Sequence, residues 1–505
     1  MFVKINKKVA DDLLFFINVA MYYTKFNYSE IRGVGTLAIL EKINGFLWGV
    51  PGIILLVGTG LFLTFILRGL QFKRLIYAFK LAFGKEKESA GADGDVSNFK
   101  ALMTTLAGTI GNGNIAGVAT AITVGGPGAL FWMWHVGLLG MATKYSEALL
   151  ATKYRVKNER GEYSGGPMYY VEKGLGKKWK PLAVLFALSG VLASFGIGDS
   201  VQSNTISEVV THSFGIPGWI IGLVLAILTA AIIFGGFQRV STVASIFVPV
   251  MAILYIGGSL IIIFLHYDQI IPAFQLIFYH AFNPVSAAGG FTGVVVSEAI
   301  RNGMSKGIFS NEAGLGTAAL IAGNAKSDHP VKAALVAMTG TFIVTLIVCT
   351  MTGLVLIITG FWDPSGGLLS GVAHDTSLDA GALTNAAFAS SLGAAGKYIV
   401  TFSVIFFGYS TIVGWYVYGE KCLEYLVGLK WVPVYRVVYV IAAYYGAVAS
   451  LNTVWAFADM ANALMMIPNL IALVLLWKVI RAETDDFFLH HYNKEKQKSA
   501  GLKAG

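Results

Sequence analysis

A cluster of glycine and asparagine residues interrupts an otherwise apolar stretch between residues 98 and 124. Residues 107–114 read AGTIGNGN, with three glycines and two asparagines. A membrane helix interrupted in this way leaves backbone N–H and C=O groups unpaired at membrane depth. Such groups are tolerated only where they line a cavity or bind a ligand. The composition of this stretch therefore predicts the floor of a binding site.

The two sides of this interruption suit ligands of opposite charge. The second half of the helix restarts near Ile115, so its N–H groups and positive dipole end suit a carboxylate. The first half ends between Ala107 and Ile110, where unpaired carbonyl oxygens suit a small hard cation. The alternative is a packing surface, because small residues are common where membrane helices meet. Two asparagines among the glycines favour a binding site.

A second interruption at residues 310–316 reads SNEAGLG and contains an acid, Glu312. An ionisable residue at membrane depth is costly and is by default either paired or functional. A structural ion pair with Arg301 or Lys306 and a role in transport are both compatible with the sequence, since buried charges are usually paired. Both interpretations stay open here.

Two other apolar spans carry polar side chains one helical turn apart. Asp199, Gln202 and Ser203 can share one inward face. This pattern favours ligand contact for Gln202, whereas ligand contact and interhelical hydrogen bonding are equally compatible with Asp199. Thr411 and Trp415 are four residues apart, which places a cation-binding hydroxyl beside an indole that could pack an apolar side chain. The alternative is a hydroxyl bonded to its own helix and a lipid-facing indole.

The composition predicts an all-α polytopic membrane protein in a lipid bilayer. Of 505 residues, 55% are hydrophobic and 13% are charged, whereas soluble domains carry about 25% charged residues. The net charge of +9 collects in loops, so we expect no nucleic-acid partner. Two cysteines suggest no disulfide framework. A coherent set of nucleophile and base is also missing, so we expect no enzyme and no cofactor.

About eleven segments are apolar and long enough to cross a bilayer. They cover roughly residues 46–67, 98–123, 127–152, 181–211, 217–237, 241–265, 291–324, 333–360, 396–425, 431–451 and 455–478. The two interrupted segments each open a block of five, at 98–265 and 291–478. Odd-numbered blocks in tandem insert with opposite orientation, which predicts the inverted repeat of a secondary transporter.

The remaining residues divide into flanking segments. Residues 44–97 form an extra first span and a cytoplasmic loop, and residues 1–43 an extension or interfacial helix. Residues 479–505 form a tail. Loops 68–100 and 153–180 hold seven and eight lysines and arginines, whereas loops 266–290 and 361–395 hold none. The positive-inside rule therefore places the two basic loops and the basic C-terminus in the cytoplasm.

Five stretches resemble the alanine or glycine:cation symporter family. They are GGPGALFWMW at 125–134, GMATKYSE at 140–147, GGPMYY at 165–170, GIFSNEAGLG at 307–316 and GWYVYGEKC at 414–422. The resemblance implies a LeuT-type fold with a 5+5 inverted repeat and one extra N-terminal span. It also implies inward transport of a small neutral amino acid, alanine or glycine, with sodium as the coupling ion, across the plasma membrane.

The resemblance further implies two sets of binding residues. The substrate carboxylate would be met by Asn112, Gly113 and Asn114. The pocket would be bounded by Gln202 and Trp415. The ligand would be contacted from the second interruption by Ser310 and Asn311, and Thr411 also belongs to this substrate set. Sodium would bind the carbonyl oxygens of Ala107, Ile110 and Phe407 and the hydroxyls of Ser410 and Thr411.

Three positions depart from the pattern of that family. Asn112 stands where threonine is usual, Asp199 where asparagine is common, and Thr317 where serine is common. Because Asn112 borders the expected ligand, we expect an altered substrate preference. The acid at position 199 leaves room for a proton-coupled amino-acid symporter as an alternative. A receptor that binds an amino acid without moving it is a second alternative, whereas a channel would need a continuous polar pore.

Overall fold

A computed structural model describes residues 36–84, 93–283, 292–361, 380–449 and 452–492. The predicted N-terminal extension therefore lies almost wholly outside the described residues, as does the end of the predicted tail. The described chain is mostly helical. A short antiparallel hairpin pairs β1 (Val156–Lys157) with β2 (Tyr163–Ser164) in the basic loop after the third predicted span.

The helices of the first half lie between residues 36 and 282. They are α1 (Thr36–Leu47), α2 (Val50–Ile66), α3 (Leu70–Lys73), α4 (Leu75–Phe83), α5 (Asn98–Thr109), α6 (Ala116–Gly125), α7 (Gly128–Lys153), α8 (Pro167–Tyr170), α9 (Lys180–Ala193), α10 (Val201–Phe214), α11 (Gly218–Ile233), α12 (Gly236–Leu265) and α13 (Ile270–Phe282).

The helices of the second half begin with the element that contains the second interruption. They are α14 (Thr292–Asn311), α15 (Thr317–Ala322), α16 (Pro330–Thr341), α17 (Thr350–Ile358), α18 (Ala380–Leu392), α19 (Ala394–Val427), α20 (Val432–Val448), α21 (Asn452–Leu475) and α22 (Trp477–Asp486). Wider π-helical turns join α9 to α10 (Ser194–Ser200) and α16 to α17 (Phe342–Cys349), and a third follows α22 (Phe487–His491).

Both predicted interruptions are breaks in helices. The first break separates α5 from α6 and contains one 3-10 turn, Asn112–Asn114. The second break separates α14 from α15. Its turn needs left-handed backbone at Gly314 and Gly316, with φ of 97° and 79°, and Glu312 also has a positive φ of 55°. Positive φ is common for glycine but uncommon for glutamate.

Seven helical segments of the described residues are long and apolar enough to span a membrane. The four other predicted spans are also helical, but they are interrupted, short or contain charged residues. Spans 98–123 and 291–324 are divided by the breaks, span 217–237 contains the 16-residue helix α11, and span 127–152 contains the 26-residue helix α7 with charged residues inside it. The protein is therefore a multi-pass membrane protein, and the total of eleven spans stays a prediction.

Two regions interpreted from the sequence as outer loops contain helices. Loop 266–290 includes α13, and loop 361–395 includes α18. Each helix has 13 residues, which is shorter than the roughly 20 residues needed to cross a bilayer. Helix α13 packs against α7, and α18 packs against α19 and α6, close to the first break.

Candidate substrate and ion-binding site

The first break lies against the middle of α19, and glycines allow this close approach. A methyl group on Gly414 would lie 2.5 Å from the backbone nitrogen of Gly108, and one on Gly108 would lie 2.6 Å from the Tyr418 hydroxyl oxygen. A methyl group on Gly111 would lie 2.7 Å from Thr411 Oγ1. The backbone of the break therefore touches the polar side chains of α19 directly.

Five oxygen atoms from these two elements converge at the end of α5. Thr411 Oγ1 lies 3.3 Å from the Ala107 carbonyl oxygen and 3.4 Å from that of Ile110. Ser410 Oγ lies 3.2 Å from the same Ala107 oxygen. Both hydroxyls also lie close to the Phe407 carbonyl oxygen, at 2.9 Å and 3.0 Å. An all-oxygen cluster is the donor set that hard cations prefer.

These five residues are the set that the family resemblance implies for sodium, and the structure brings all of them together. The Thr411 hydroxyl does bond to its own helix at Phe407, as the alternative interpretation requires. It also reaches across to the break, which a purely intrahelical bond would not do.

Asn114 holds the first break in shape and joins it to the second. Its amide nitrogen donates to the carbonyl oxygens of Thr109, at 2.9 Å, and Gly111, at 3.2 Å. Its amide oxygen accepts a hydrogen bond from Ser310 and lies 3.3 Å from the Cys349 sulfur. In this structure the side chain therefore satisfies the carbonyls left by the end of α5. Cys349 is a neighbour of the site that the sequence analysis did not identify.

Asn112 differs from Asn114 because its side chain has no hydrogen-bond partner within the described part of the chain. The residue is only 5% exposed, and both polar atoms of its amide are buried. A buried amide without partners costs free energy, and each such group in a native protein needs an explanation.

Gln202 also contacts the first break. Its side-chain oxygen accepts from the Asn112 backbone N–H at 3.4 Å, and its amide nitrogen donates to the Ile197 carbonyl at 3.1 Å. Ile197 belongs to the π-helical turn Ser194–Ser200, and such turns are frequent at functional sites. Gly198 of the same turn packs on Trp415, because a methyl group there would lie 2.3 Å from Trp415 Cβ.

Asp199 lies in the same turn and is completely buried. Its Oδ1 atom is 3.5 Å from the Ser203 hydroxyl, one turn further along. Its Oδ2 atom has no hydrogen-bond partner among the described residues. Asp199, Gln202 and Ser203 are all buried, as the inward face predicted from their spacing requires.

Ser310 and Asn311 at the second break have different surroundings. Ser310 donates to Asn114 of the first break. The Asn311 side chain donates to Thr345 at 3.1 Å and accepts from the Ala313 N–H at 2.9 Å. In this structure Ser310 therefore joins the two breaks, whereas the Asn311 amide holds the shape of its own turn.

Glu312 follows directly and bonds to Trp415 of α19. Its Oε1 atom accepts from the indole N–H at 3.1 Å, and its Oε2 atom accepts from the Thr317 hydroxyl at 2.7 Å. Among the described residues, neither Arg301 nor Lys306 forms an ion pair with it. The structure therefore does not support the ion pairs that the sequence suggested for Glu312.

Two charged residues of α7 support the second break, and the sequence analysis missed their role. Lys144 donates to the Asn311 carbonyl oxygen at 2.6 Å. Glu147 Oε1 accepts from the N–H groups of Gly314, at 2.9 Å, and Gly316, at 3.1 Å. The available signal was a pair of opposite charges three residues apart inside an apolar span, which by default is paired or functional.

The chain matches the family model of the sodium:alanine symporter family over residues 35–501. The sodium/alanine symporter AgcS of Methanococcus maripaludis is 48% identical over 92% of this chain and 99% of its own length. An uncharacterized transporter of Haemophilus influenzae is also 48% identical, over 91% of this chain and 98% of its own. A probable sodium/glutamine symporter of Bacillus subtilis, GlnT, is 37% identical over 92% of each chain. This chain therefore belongs to the sodium:alanine symporter family, a family of amino-acid:cation symporters rather than enzymes.

Proposed function

We propose that this protein imports a small neutral amino acid, with alanine as the first candidate and glycine as the second, together with sodium. The observation that carries the proposal is the convergence of three carbonyl and two hydroxyl oxygens between the end of α5 and α19. The names of the family and of its Methanococcus maripaludis member, both of which specify sodium and alanine, support the same pair of transported species.

Sodium in this proposal binds the carbonyls of Ala107, Ile110 and Phe407 and the hydroxyls of Ser410 and Thr411. The ion would hold the first break against α19. The five oxygen ligands come from two separate elements, the first break and α19, so an ion bound to all five connects these elements. The ion would replace weak hydroxyl–carbonyl contacts of 3.2–3.4 Å by ion–dipole attraction.

The amino acid in this proposal lies between the two breaks. Its carboxylate meets Asn112, Gly113 and Asn114 at the beginning of α6, where backbone N–H groups and the helix dipole favour an anion. Gln202 and Trp415 bound the pocket, and Ser310 and Asn311 approach from the second break. Trp415 is 1% exposed and packs edge-on against the ring of Tyr418, which favours a small side chain on the substrate.

Alternating access then follows from the position of the ligands. Sodium favours one arrangement of the first break, and the amino acid draws the second break against it, so that each ligand stabilises the state that it binds better. The inverted relation of blocks 98–265 and 291–478 and the cytoplasmic C-terminus are parts of the same proposal.

The test is uptake of labelled alanine by purified protein in proteoliposomes with separately imposed sodium and proton gradients. We expect accumulation that follows the sodium gradient and is stimulated by internal alanine. Uptake that follows the proton gradient and ignores sodium would contradict sodium coupling. Alanine binding without accumulation under any gradient would support the receptor alternative instead.

A further inference from the structure

Three charged side chains form a buried group with unequal charges beside the second break. Lys144 supplies one positive charge, and Glu147 and Glu312 supply two negative charges. Their residues are 1%, 0% and 5% exposed, respectively. The Lys144 ammonium lies within electrostatic reach of both carboxylates. When all three are ionised the group has one excess negative charge, and an uncompensated charge in the membrane interior is costly.

The two carboxylates have different neighbours. Glu147 Oε1 is occupied by the N–H groups of Gly314 and Gly316 and by the Asn469 amide at 2.6 Å. These contacts fix the backbone of the second break from the side of α7 and α21. Glu147 Oε1 therefore has a structural function, whereas Glu147 Oε2 has no hydrogen-bond partner among the described residues. Of the two carboxylates, Glu312 is the one that bonds to Trp415, a residue that bounds the proposed pocket.

Glu312 instead faces the residues that surround the proposed substrate. It accepts a hydrogen bond from the indole N–H of Trp415 at 3.1 Å. Ser310, two residues earlier, bonds to Asn114 of the first break. Glu312 Oε1 accepts from Trp415 and Oε2 accepts from Thr317, whereas an ionised carboxylate accepts about four hydrogen bonds in all. The carboxylate therefore has capacity for another donor.

Building on the proposed function, we propose that the Glu312 carboxylate is the counter-charge of the substrate's ammonium group. The two charges of an α-amino acid are attached to the same carbon atom. A carboxylate bound at the start of α6 therefore leaves the ammonium only a few ångströms away, toward the second break. The ammonium supplies the missing positive charge, so the site selects α-amino acids over analogues that carry a hydroxyl group or hydrogen at that position.

The experiment compares L-alanine with L-lactate, which replaces the ammonium by a hydroxyl group. Initial uptake of labelled alanine is measured in proteoliposomes under a sodium gradient, with lactate as the unlabelled competitor. Sodium-driven uptake by the wild type tests the proposed function separately. In Glu312→Gln we expect the KM for alanine to rise about a hundredfold, as for loss of one partner of a buried charge pair. The inhibition constant of lactate should change less than about fivefold.

Two control variants separate direct contact from indirect effects. Glu147→Gln makes the same change in charge within the same buried group and should retain the preference for alanine over lactate. Thr317→Val removes the hydroxyl donor to Glu312 Oε2 but keeps the shape of the side chain, and it should also retain that preference. The inference is overturned if Glu312→Gln keeps the preference, or if Thr317→Val reproduces the loss of preference.

A measurement on the wild type keeps the inference testable if Glu312→Gln does not fold. Alanine should raise the thermal stability of the purified full chain in sodium, and lactate at the same concentration should not. Equal stabilisation by the two compounds would overturn the proposed role of Glu312, while leaving sodium-driven uptake of alanine intact.

Discussion

Replacement of Thr411 by alanine should weaken sodium binding specifically. The Thr411 hydroxyl is one of five clustered oxygens and lies within 3.4 Å of three carbonyl oxygens, those of Ala107, Ile110 and Phe407. An interaction with a charged group is worth about 1.5–3 kcal/mol. At 1.4 kcal/mol for each tenfold change, loss of this ligand predicts a roughly 10- to 150-fold weaker apparent sodium affinity.

The assay is alanine uptake in proteoliposomes as a function of external sodium concentration. In Thr411→Ala the half-maximal sodium concentration should rise by this factor, and saturating sodium should restore much of the maximal rate. Thr411→Ser keeps the hydroxyl and should stay within about threefold of the wild type. Thr411→Val keeps the shape of the side chain but lacks the oxygen, so it should behave like the alanine variant.

Two results would refute this reasoning. If Thr411→Val keeps the wild-type sodium dependence, the side chain contributes shape and not an ion ligand. If Thr411→Ala raises only the KM for alanine at every sodium concentration, the hydroxyl contacts the amino acid and the proposed ion set is wrong.

Three other substitutions test the packing and hydrogen bonding of the first break. Gly414→Ala would place a methyl group 2.5 Å from the Gly108 nitrogen, so it should separate α19 from α5 and abolish sodium-driven uptake; wild-type uptake would contradict this contact. Asn112→Thr removes a buried amide without partners among the described residues, so the free energy of unfolding should not decrease, while the ratio of KM values for alanine and glycine changes; an unchanged ratio would exclude Asn112 from the substrate site. Asn114→Ala removes the cap of α5 and the bond to Ser310, and should lower the free energy of unfolding by roughly 1–3 kcal/mol; a melting temperature equal to that of the wild type would show that these bonds are dispensable.

The position of both breaks could be predicted from the sequence because glycines and a polar cluster are exceptional inside apolar spans. Residues 107–114 and 310–316 stand out against their surroundings without any knowledge of the fold. The halves of the first broken helix end and restart at Thr109 and Ala116, close to the expected positions. Local composition is sufficient here because the backbone itself changes course.

Partners that are distant in sequence could not be predicted in the same way. Glu147 bonds to Gly314 and Gly316, which lie 167 and 169 residues away. A helical period indicates which side chains share a face but not which helix that face will meet. For the same reason the sequence suggested Arg301 and Lys306 as partners of Glu312, because they are close along the chain. The structure instead pairs it with Trp415, 103 residues away.

The difference between Asn112 and Asn114 also required the structure. Both asparagines lie in one glycine-rich break, and both carry the same amide. The Asn114 amide is satisfied by carbonyls of its own break, whereas the Asn112 amide has no partner within the described residues. In a 3-10 turn, side chains two positions apart point in different directions. Composition contains no information about those directions.

Side chains connect the two breaks to each other and to α19, and these connections would couple sodium binding to alanine binding. The first break bonds to the second through Asn114 and Ser310, and the second bonds to α19 through Glu312 and Trp415. The proposed sodium ligands lie on the first break and on α19, so sodium and the amino acid would act on the same three elements. A ligand shifts a conformational equilibrium only by the difference in its affinity for the two states. Because such coupling is reciprocal, sodium must strengthen alanine binding by the same factor by which alanine strengthens sodium binding.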